Sequence, residues 1–521
     1  MLLKEAYRRV LEYLRERERG KFRERPFLSE LISALSSDSR NYLISAPTGY
    51  GKTAITESIA LSSFNESSKT LVAYPLRSLI EEQAEILREF LDFTGIGGDV
   101  VGTRYMGMGE SPYLIHPITL TTVDTLSLTA LGLSPEDIHK VFKSLSSEEW
   151  FRNLGHYLFS WSSVFSSAYL ILDEIHLMYD TSKSLSFLRA LIDLCEYTGV
   201  RVILMTATLP RSFEQVLSDK VEVRRFTKES DTGFYEERLS KKYRVELLRF
   251  GGGDKLESIK KILSGSRFNK ALVVFNTVED AINFYRLIDG RKLLIHSRFS
   301  VEDRKSKLRE LRALKDSAEK LVLVSTQAVE AGVDFTSDLL ITEVAPPISL
   351  IQRFGRFLRR EEKFGSAYVW FEEEGFHDAY YKVYDAGLVK RTIDYLSSNS
   401  DLNLHVGYED FLDSVYSEVP LVNQELVRDV EGVFLNLLEP SRSALELLIR
   451  LEGSFVRDGN LITVVTEDGV EVNVSYEYLM RLRREGKCVE CPEDRREVVI
   501  KSLSGHRFGV RVTYDREVGL A

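Results

Sequence analysis

The chain has 521 residues, 44% hydrophobic and 28% charged, and this length exceeds what one hydrophobic core can organise. About two to four domains are expected, and the longest apolar runs, ALVVF and LVLV, are far too short for a membrane span. A formal net charge of −10 excludes a basic coat over the whole surface but permits a local basic channel.

In chain order, MLLKEAYRRVLEYLRERERG predicts a charged amphipathic helix within residues 1–24. It has no signal-peptide core, so a cytoplasmic protein with no membrane partner is expected. Residues 25–215 then carry the strand-length runs NYLISA (41–46), TLVAYP (70–75), PITLTT (117–122), AYLILDE (168–174) and RVILMTAT (201–208). The helix-period segment LRSLIEEQAEILREFLDF lies among them. A helical, aromatic insertion at 125–166, with Trp150, Phe151, Tyr157, Phe159, Trp161 and Phe165, separates the third run from the fourth. Charges and the glycine run from Gly251 mark a linker at 216–255. Residues 256–375 repeat the pattern with KALVVFN (270–276), KLLIHS (292–297), KLVLVSTQ (320–327), LLITEVAP (339–346) and SAYVWF (366–371). Apolar strands alternating with amphipathic helices predict two α/β domains, each a parallel sheet covered on both faces. From 376 to 521 helices give way to short strands with Asp-Gly turns at 458–459 and 468–469, a mixed helical/β accessory domain.

Directly after NYLIS comes Ala46-Pro47-Thr48-Gly49-Tyr50-Gly51-Lys52-Thr53, and a helical segment follows. Strand, glycine loop and helix in that order are the setting of a phosphate cradle. Glycines let backbone N–H groups turn onto phosphates at a helix N-terminus, Lys52 reaches the β- and γ-phosphates, and Thr53 ligates Mg²⁺. Ala46 stands where a first glycine is usual. A strand ending in Asp173-Glu174 downstream of such a loop reads as its acidic partner. Asp173 would hold Mg²⁺ through water, and Glu174 would orient or deprotonate the attacking water. A separate metal site on Asp173-Glu174-Ile175-His176 is disfavoured for want of a second histidine-rich cluster. Thr206 and Thr208 close the next strand with hydroxyls that could bond His176.

In the second block, Gln352-Arg353-Phe354-Gly355-Arg356-Phe357-Leu358-Arg359 opens a helix. The spacing of Arg353, Arg356 and Arg359 predicts three guanidinia along one helical face. Arg356 and Arg359 offer the planar donor fork that a γ-phosphate transition state requires. Cys488 and Cys491 form one CxxC with no second ligand pair at zinc spacing and read as small turn residues. His377-Asp378 has only His405 and His506 after it, too few for a metal site, and reads as a surface dipeptide.

Taken in order, APTGYGKT, YPLRSLIEEQ, TTVD, DEIH, TAT, STQAVEAGVDF and QRFGRFLR resemble the motif series of superfamily 2 DExH-box helicases. LDEIHLMYD, VFNTVEDA, LIHSRFSVEDR and STQAVEAGVDF are most similar to the CRISPR-associated helicase of type I interference systems. This resemblance implies two RecA-like domains in tandem with ATP and Mg²⁺ in the cleft between them. It implies 3′-to-5′ translocation on single-stranded DNA that a CRISPR RNA-guided effector complex has opened. Many members carry an HD nuclease domain before the helicase. Here the phosphate cradle begins at Ala46, so the split form, with the nuclease on a separate polypeptide, is expected.

The resemblance also assigns residues. Lys52, Asp173, Glu174, His176, Gln352, Arg356 and Arg359 fall on catalytic positions. Residues 46–53, Thr206, Thr208, Gly332, Asp334 and Arg353 fall on nucleotide positions. Pro75, Arg77, Thr122 and Asp124 in the first domain, and Thr277, His296, Ser297, Arg298 and Thr326 in the second, fall on polymer-track positions. His176 is expected to bond toward Thr206 or Gln352 and not to a metal. Gln83 reads as a helix stabiliser. The segment Arg25 to Glu30 lacks the glutamine with which many such helicases read adenine, leaving Phe27 as a ring to stack on a base. Phosphate contacts carry no base information, so DNA over RNA rests on the resemblance alone. Two other readings stay open, an RNA or DNA-repair helicase of the same superfamily and a nucleotide-gated clamp that does not turn over.

Overall fold

The predicted apolar runs all become strands, and several of them are buried along their whole length, as strands covered on both faces must be. The computed structural model describes residues 2–520 except 19–21, 106–107, 139, 142–156, 180, 252–254, 315–316, 318, 373–382, 400, 437–439, 457–460 and 504. The expected surface dipeptide His377-Asp378, the turn at 458–459, and Trp150 and Phe151 of the insertion lie outside the described residues.

Two units result. The first comprises Met1–Asp231, Val419–Asn460 and Pro492–His506, and the second Thr232–Glu418, Leu461–Cys491 and Arg507–Ala521. Residues after 376 therefore contribute to both units.

The first unit is built on an eight-stranded sheet. Its strands are β1 (Tyr42–Ser45), β2 (Thr70–Tyr74), β3 (Val101–Tyr105), β4 (Met108–Gly109), β5 (Ile118–Thr122), β6 (Tyr169–Leu172), β7 (Arg201–Thr206) and β8 (Glu222–Arg225). Their order is β4-β3-β5-β2-β6-β7-β1-β8, parallel except where β4 turns back on β3. The N-terminal helix runs Leu3–Arg17 and packs on the helix Thr53–Asn65 that follows the glycine loop. From the C-terminal region, helix Gln424–Leu435 packs on helix Ser182–Thr198, and Asn423 N–H donates to Ser186 Oγ at 2.8 Å. Phe434 meets two rings of the insertion edge-on, Trp161 at 4.5 Å and Phe165 at 4.8 Å between centroids. The aromatic residues of the insertion are thus partly core.

The second unit carries a six-stranded parallel sheet of β9 (Val245–Phe250), β10 (Lys270–Val274), β11 (Lys292–Ile295), β12 (Leu321–Ser325), β13 (Leu339–Glu343) and β14 (Ser366–Glu372), in the order β11-β12-β10-β13-β14-β9. The segment expected to be a linker thus supplies β8 to one sheet and β9 to the other. A small third sheet joins β15 (Ile462–Val465), β16 (Glu471–Val474) and β17 (Phe508–Gly509). Cys488 and Cys491 are joined by a disulfide, which the sequence reading as two turn residues did not anticipate. Among the described residues no helix is long and apolar enough to cross a membrane.

His405 lies inside the second unit with its ring centroid 5.3 Å from that of Tyr243, and burial depresses its imidazole to about 3 from an ordinary value of 6.5. Between those values the unfolded chain binds a proton that the folded chain refuses, so this contribution to stability is complete above pH 6.5 and is lost as pH falls toward 3. Acid titration from about pH 7 to about pH 4 should lower the unfolding midpoint of the second unit, and His405→Phe, which keeps a ring in place, should reduce that slope.

Candidate functional site

In the first unit the chemistry-bearing loops leave the C-terminal ends of three adjacent strands, β6, β7 and β1. Such ends are where open parallel sheets receive ligands. The β1–β7 ladder continues one residue beyond β1, because Ala46 N–H donates to the Thr206 carbonyl at 3.1 Å. The loop then turns through Gly49 (φ +79°) and Gly51 (φ +99°), left-handed values that a side chain would disfavour. Lys52 is buried and its Nζ donates back to the Ala46 carbonyl at 2.9 Å. Thr48 Oγ1 is buried with no hydrogen-bond partner among the described residues. Thr53 opens the helix and donates to Gln83 Oε1 at 3.4 Å. Gln83 thus ties the phosphate loop to helix Arg77–Thr94, a cross-link that the reading of it as a helix stabiliser missed.

Tyr50 and Phe27 are placed differently from expectation. The Tyr50 hydroxyl accepts from Phe27 N–H at 3.2 Å and donates to Asp231 at 3.0 Å. Its ring lies 4.9 Å from Phe226, and Phe27 closes the cluster at 5.8 Å from Phe226. Both rings are buried, so Phe27 offers no face to a base, and Tyr50 anchors the loop through its side chain.

At the end of β6 the Asp173 carboxylate accepts Glu174 N–H at 2.8 Å. Burial raises the Asp173 carboxyl well above the usual range, Glu174 adds to the rise, and Lys52 opposes it. Glu174 adopts φ +54°, a left-handed conformation that costs a non-glycine residue about 1 kcal/mol or more and is characteristic of functional turns. His176 Nδ1 lies 3.3 Å from Thr206 Oγ1 and 3.2 Å from Glu174 Oε2, so the contact toward Thr206 is present. Thr206 Oγ1 also donates to the Thr208 carbonyl at 2.8 Å, folding the strand end into a tight turn. Among the described residues no group of three or more His, Cys, Asp or Glu is arranged to hold a metal on protein ligands alone.

The first-unit track positions follow β2 and β5, two neighbouring strands. Pro75 comes directly after β2, and Arg77 sits 4.5 Å over the Tyr105 ring. Thr122 caps helix Val123–Ala130 by accepting Thr125 N–H, and Asp124 accepts the Ser454 hydroxyl at 3.4 Å.

In the second unit the arginine series is not a helical stripe. The helix runs only Pro347–Phe354. Beyond it the backbone pairs with Ser337, whose N–H donates to Arg356 O at 2.9 Å and whose carbonyl accepts Leu358 N–H at 2.8 Å. Leu358 takes φ +47°, so the helix cannot continue and the three guanidinia diverge. Arg353, fully buried, donates to Glu330 Oε1, Thr342 Oγ1 and the Glu343 carbonyl at 2.8 Å each, and to Asn276 Oδ1 and the Tyr384 hydroxyl at 3.0 Å each. A guanidinium carries five N–H donors. These partners occupy its donor set, which leaves it poorly placed to be the nucleotide ligand the sequence reading expected. Arg356 donates to the carbonyls of Val329 (3.2 Å) and Glu330 (3.0 Å), and Arg359 stands 3.6 Å from Asp334. Gly332, at φ +72°, turns the intervening loop, and Gln352 is buried with no partner for Nε2 among the described residues.

Thr277 caps helix Val278–Leu287, Thr326 is buried beyond β12, and Ser297 is exposed. Arg298 donates to Glu279 at 2.9 Å. His296 is fully buried and hydrogen-bonded within its unit, so it offers no open contact to a polymer, contrary to its expected place on the track. Asn276, Glu330 and Tyr384 were missed by sequence reasoning, because their shared partner Arg353 lies up to 77 residues away.

Arg353→Ala would leave the buried Glu330 carboxylate uncompensated and should cost the second unit about 3–5 kcal/mol in denaturant unfolding. Arg353→Lys should recover part of that loss, since one ammonium cannot reach five acceptors.

Residues 25–216 match the DEAD/DEAH box helicase family, and residues 267–362 match the C-terminal region of the CRISPR-associated nuclease/helicase Cas3. The CRISPR-associated helicase Cas3 of Thermoproteus tenax is 30% identical over 347 residues, covering 64% of this chain and 56% of that protein. The CRISPR-associated nuclease/helicase Cas3 of Methanothermobacter thermautotrophicus is 28% identical, covering 65% of this chain and 40% of that protein. The chain thus spans about half the length of the curated relatives it matches. The crystal structure of T. fusca Cas3-ADP superposes with a TM-score of 0.61 at 17% identity, covering 96% of this chain and 65% of that one. That likeness bears on fold, and it makes the two parallel-sheet domains RecA-like. Residues 25–216 therefore belong to the DEAD/DEAH box helicase family, residues 267–362 are Cas3-like, and the chain is similar across both to CRISPR-associated Cas3 helicases.

Proposed function

We propose that the chain is an ATP-dependent 3′-to-5′ translocase on single-stranded DNA that acts in type I CRISPR interference and feeds DNA to a separate HD nuclease. The observation that carries this reading is the convergence of the glycine loop, the Asp173-Glu174 turn and the Thr206 turn on adjacent strand ends. The residues present fit a nucleoside triphosphate and its cation, since the cradle has left-handed glycines, an orphaned Thr48 hydroxyl and a buried carboxylate under the influence of a lysine. Thr53 and Asp173 would hold Mg²⁺, which when bound neutralises charge on the phosphates.

In this reading Lys52 exchanges the Ala46 carbonyl for a phosphate oxygen. Glu174 takes the proton of the attacking water. Arg356 and Arg359 supply positive charge to the transition state. His176, whose Nδ1 contacts Thr206 beside the Glu174 carboxylate, transmits the state of the site to β7. Ser297, Arg298 and the capping threonines Thr122 and Thr277 meet phosphates of the strand, and such contacts tolerate any base sequence. The CRISPR-associated names of the relatives support an RNA-guided effector complex as the recruiting partner.

Hydrolysis measured with single-stranded DNA, single-stranded RNA and no polymer should be stimulated by DNA, and stimulation by RNA alone would refute the DNA reading. Tailed duplexes should unwind from a 3′ tail and not from a 5′ tail. Lys52→Ala and Asp173→Asn should abolish DNA-stimulated hydrolysis, and Arg356→Ala should lower kcat by about 10³-fold or more. Equal, slow hydrolysis by wild type and Lys52→Ala would instead favour the clamp. His176→Ala should uncouple unwinding from hydrolysis without weakening ATP binding.

A further inference from the structure

The loop after β11 is shaped by residues more than 170 positions away in sequence. His296 closes β11, its Nδ1 accepting Arg298 N–H at 3.1 Å and its Nε2 lying 2.9 Å from the Val518 carbonyl. Burial holds this imidazole neutral, down to about 3. A neutral ring that accepts at Nδ1 carries its proton on Nε2, so Nε2–H donates to Val518. Leu520 N–H donates to the Arg298 carbonyl at 2.9 Å, and Ser300 N–H to the Tyr514 hydroxyl at 2.9 Å. Gly519 sits so close that a Cβ there would come 2.7 Å from His296 Cε1 and 2.8 Å from Arg298 O, at φ +77°. The C-terminal strap Tyr514–Leu520 is pinned at its middle as well, with Tyr285 donating to Glu517 at 3.0 Å and Lys307 to the Glu517 carbonyl at 3.0 Å.

A second C-terminal segment reaches the same loop. The Arg298 guanidinium stacks 4.0 Å over Tyr478 on helix Tyr476–Arg484. Arg298 and Arg481 both donate to Glu279 Oε1, at 2.9 and 2.8 Å. Main chain and side chain of residues 296–300 are therefore held from two sides, and Ser297 faces outward between the anchors.

We infer that Tyr478–Arg481 and Tyr514–Leu520 are positioning elements that hold loop 296–300 in the one conformation presenting Ser297 and Arg298 to the phosphates of a single-stranded polynucleotide. The inference rests on the reading of this loop as a polymer contact. Ordering the loop before the strand arrives removes part of the entropy cost of binding. It gives the C-terminal strap a role in affinity for the polymer and none in hydrolysis itself.

The test uses the full chain with Tyr514→Phe, which removes the hydroxyl that accepts Ser300 N–H and also meets the Ser300 and Asp303 side chains, and Gly519→Val, which drives a side chain into His296. Three quantities are read: hydrolysis without polymer, the single-stranded DNA concentration giving half-maximal stimulation, and amide hydrogen exchange across 296–300. Faster exchange confined to that loop, unchanged basal hydrolysis and a roughly tenfold higher half-stimulating DNA concentration support the inference. Should Gly519→Val fail to fold, Tyr514→Phe decides alone. Ser297→Ala and Arg298→Ala separate the two levels. If these weaken the DNA response while the strap variants loosen the loop and leave that response at the wild-type value, positioning is refuted and the polymer reading stands. Unaltered exchange in the strap variants also refutes positioning. If neither pair changes the DNA response, the polymer reading falls and the inference falls with it.

Discussion

Parallel strand pairing is the constraint on which the rest of the first unit depends. Because β6, β7 and β1 run side by side in one direction, the loops that follow them emerge together. The hydrogen bond from Ala46 N–H to the Thr206 carbonyl carries the ladder into the loops themselves. The phosphate cradle and the threonine turn are therefore parts of one rigid edge. Asp173 is held in the same way, its N–H donating to the Ala73 carbonyl of β2. A site of this kind is prebuilt by the backbone, and side chains refine it.

The second unit solves a different problem, namely how to hold an irregular segment after a short helix. Arg353 does this from the interior, joining β10, β13, the 327–330 turn and Tyr384 through one guanidinium. Such a buried charge is tolerated because every donor finds an acceptor. Glu330 accepts from Arg353 through its side chain and from Arg356 through its carbonyl. The two arginines thus have separate tasks, with Arg353 setting the turn and Arg356 resting on it.

The C-terminal region serves both units separately. Helix Gln424–Leu435 covers the first unit through Phe434, beside the contact of Asn423 with Ser186. Its small sheet, helix and final strap belong to the second unit, where they close over the end of β11. An accessory region divided in this way is not an appended module, since each of its segments completes a surface that one of the sheets leaves open.

Local pattern was enough to read the ten apolar strands, the glycine loop and the acidic pair, because each is a property of consecutive residues, but it missed β3, β4, β8 and β9. A buried parallel strand is a short apolar run, and a cradle is a strand, two glycines and a helix start. The motif order likewise carried the family, since seven short strings in register are visible without coordinates. What the sequence could not decide was which side chains point at a ligand and which at the interior. Tyr50, Phe27 and His296 carry groups suited to ligands, yet partners distant in sequence bury all three, Phe226 and Asp231 for the first two and Val518 for the third. The arginine spacing of three predicted a stripe, but pairing with Ser337 ended the helix at Phe354 and turned Arg353 inward. Sequence by itself determined the kinds of element and the chemistry at their ends, because these depend on neighbours along the chain. Tertiary structure alone decided the orientation and burial of each functional group, because these depend on whichever residues the fold places opposite.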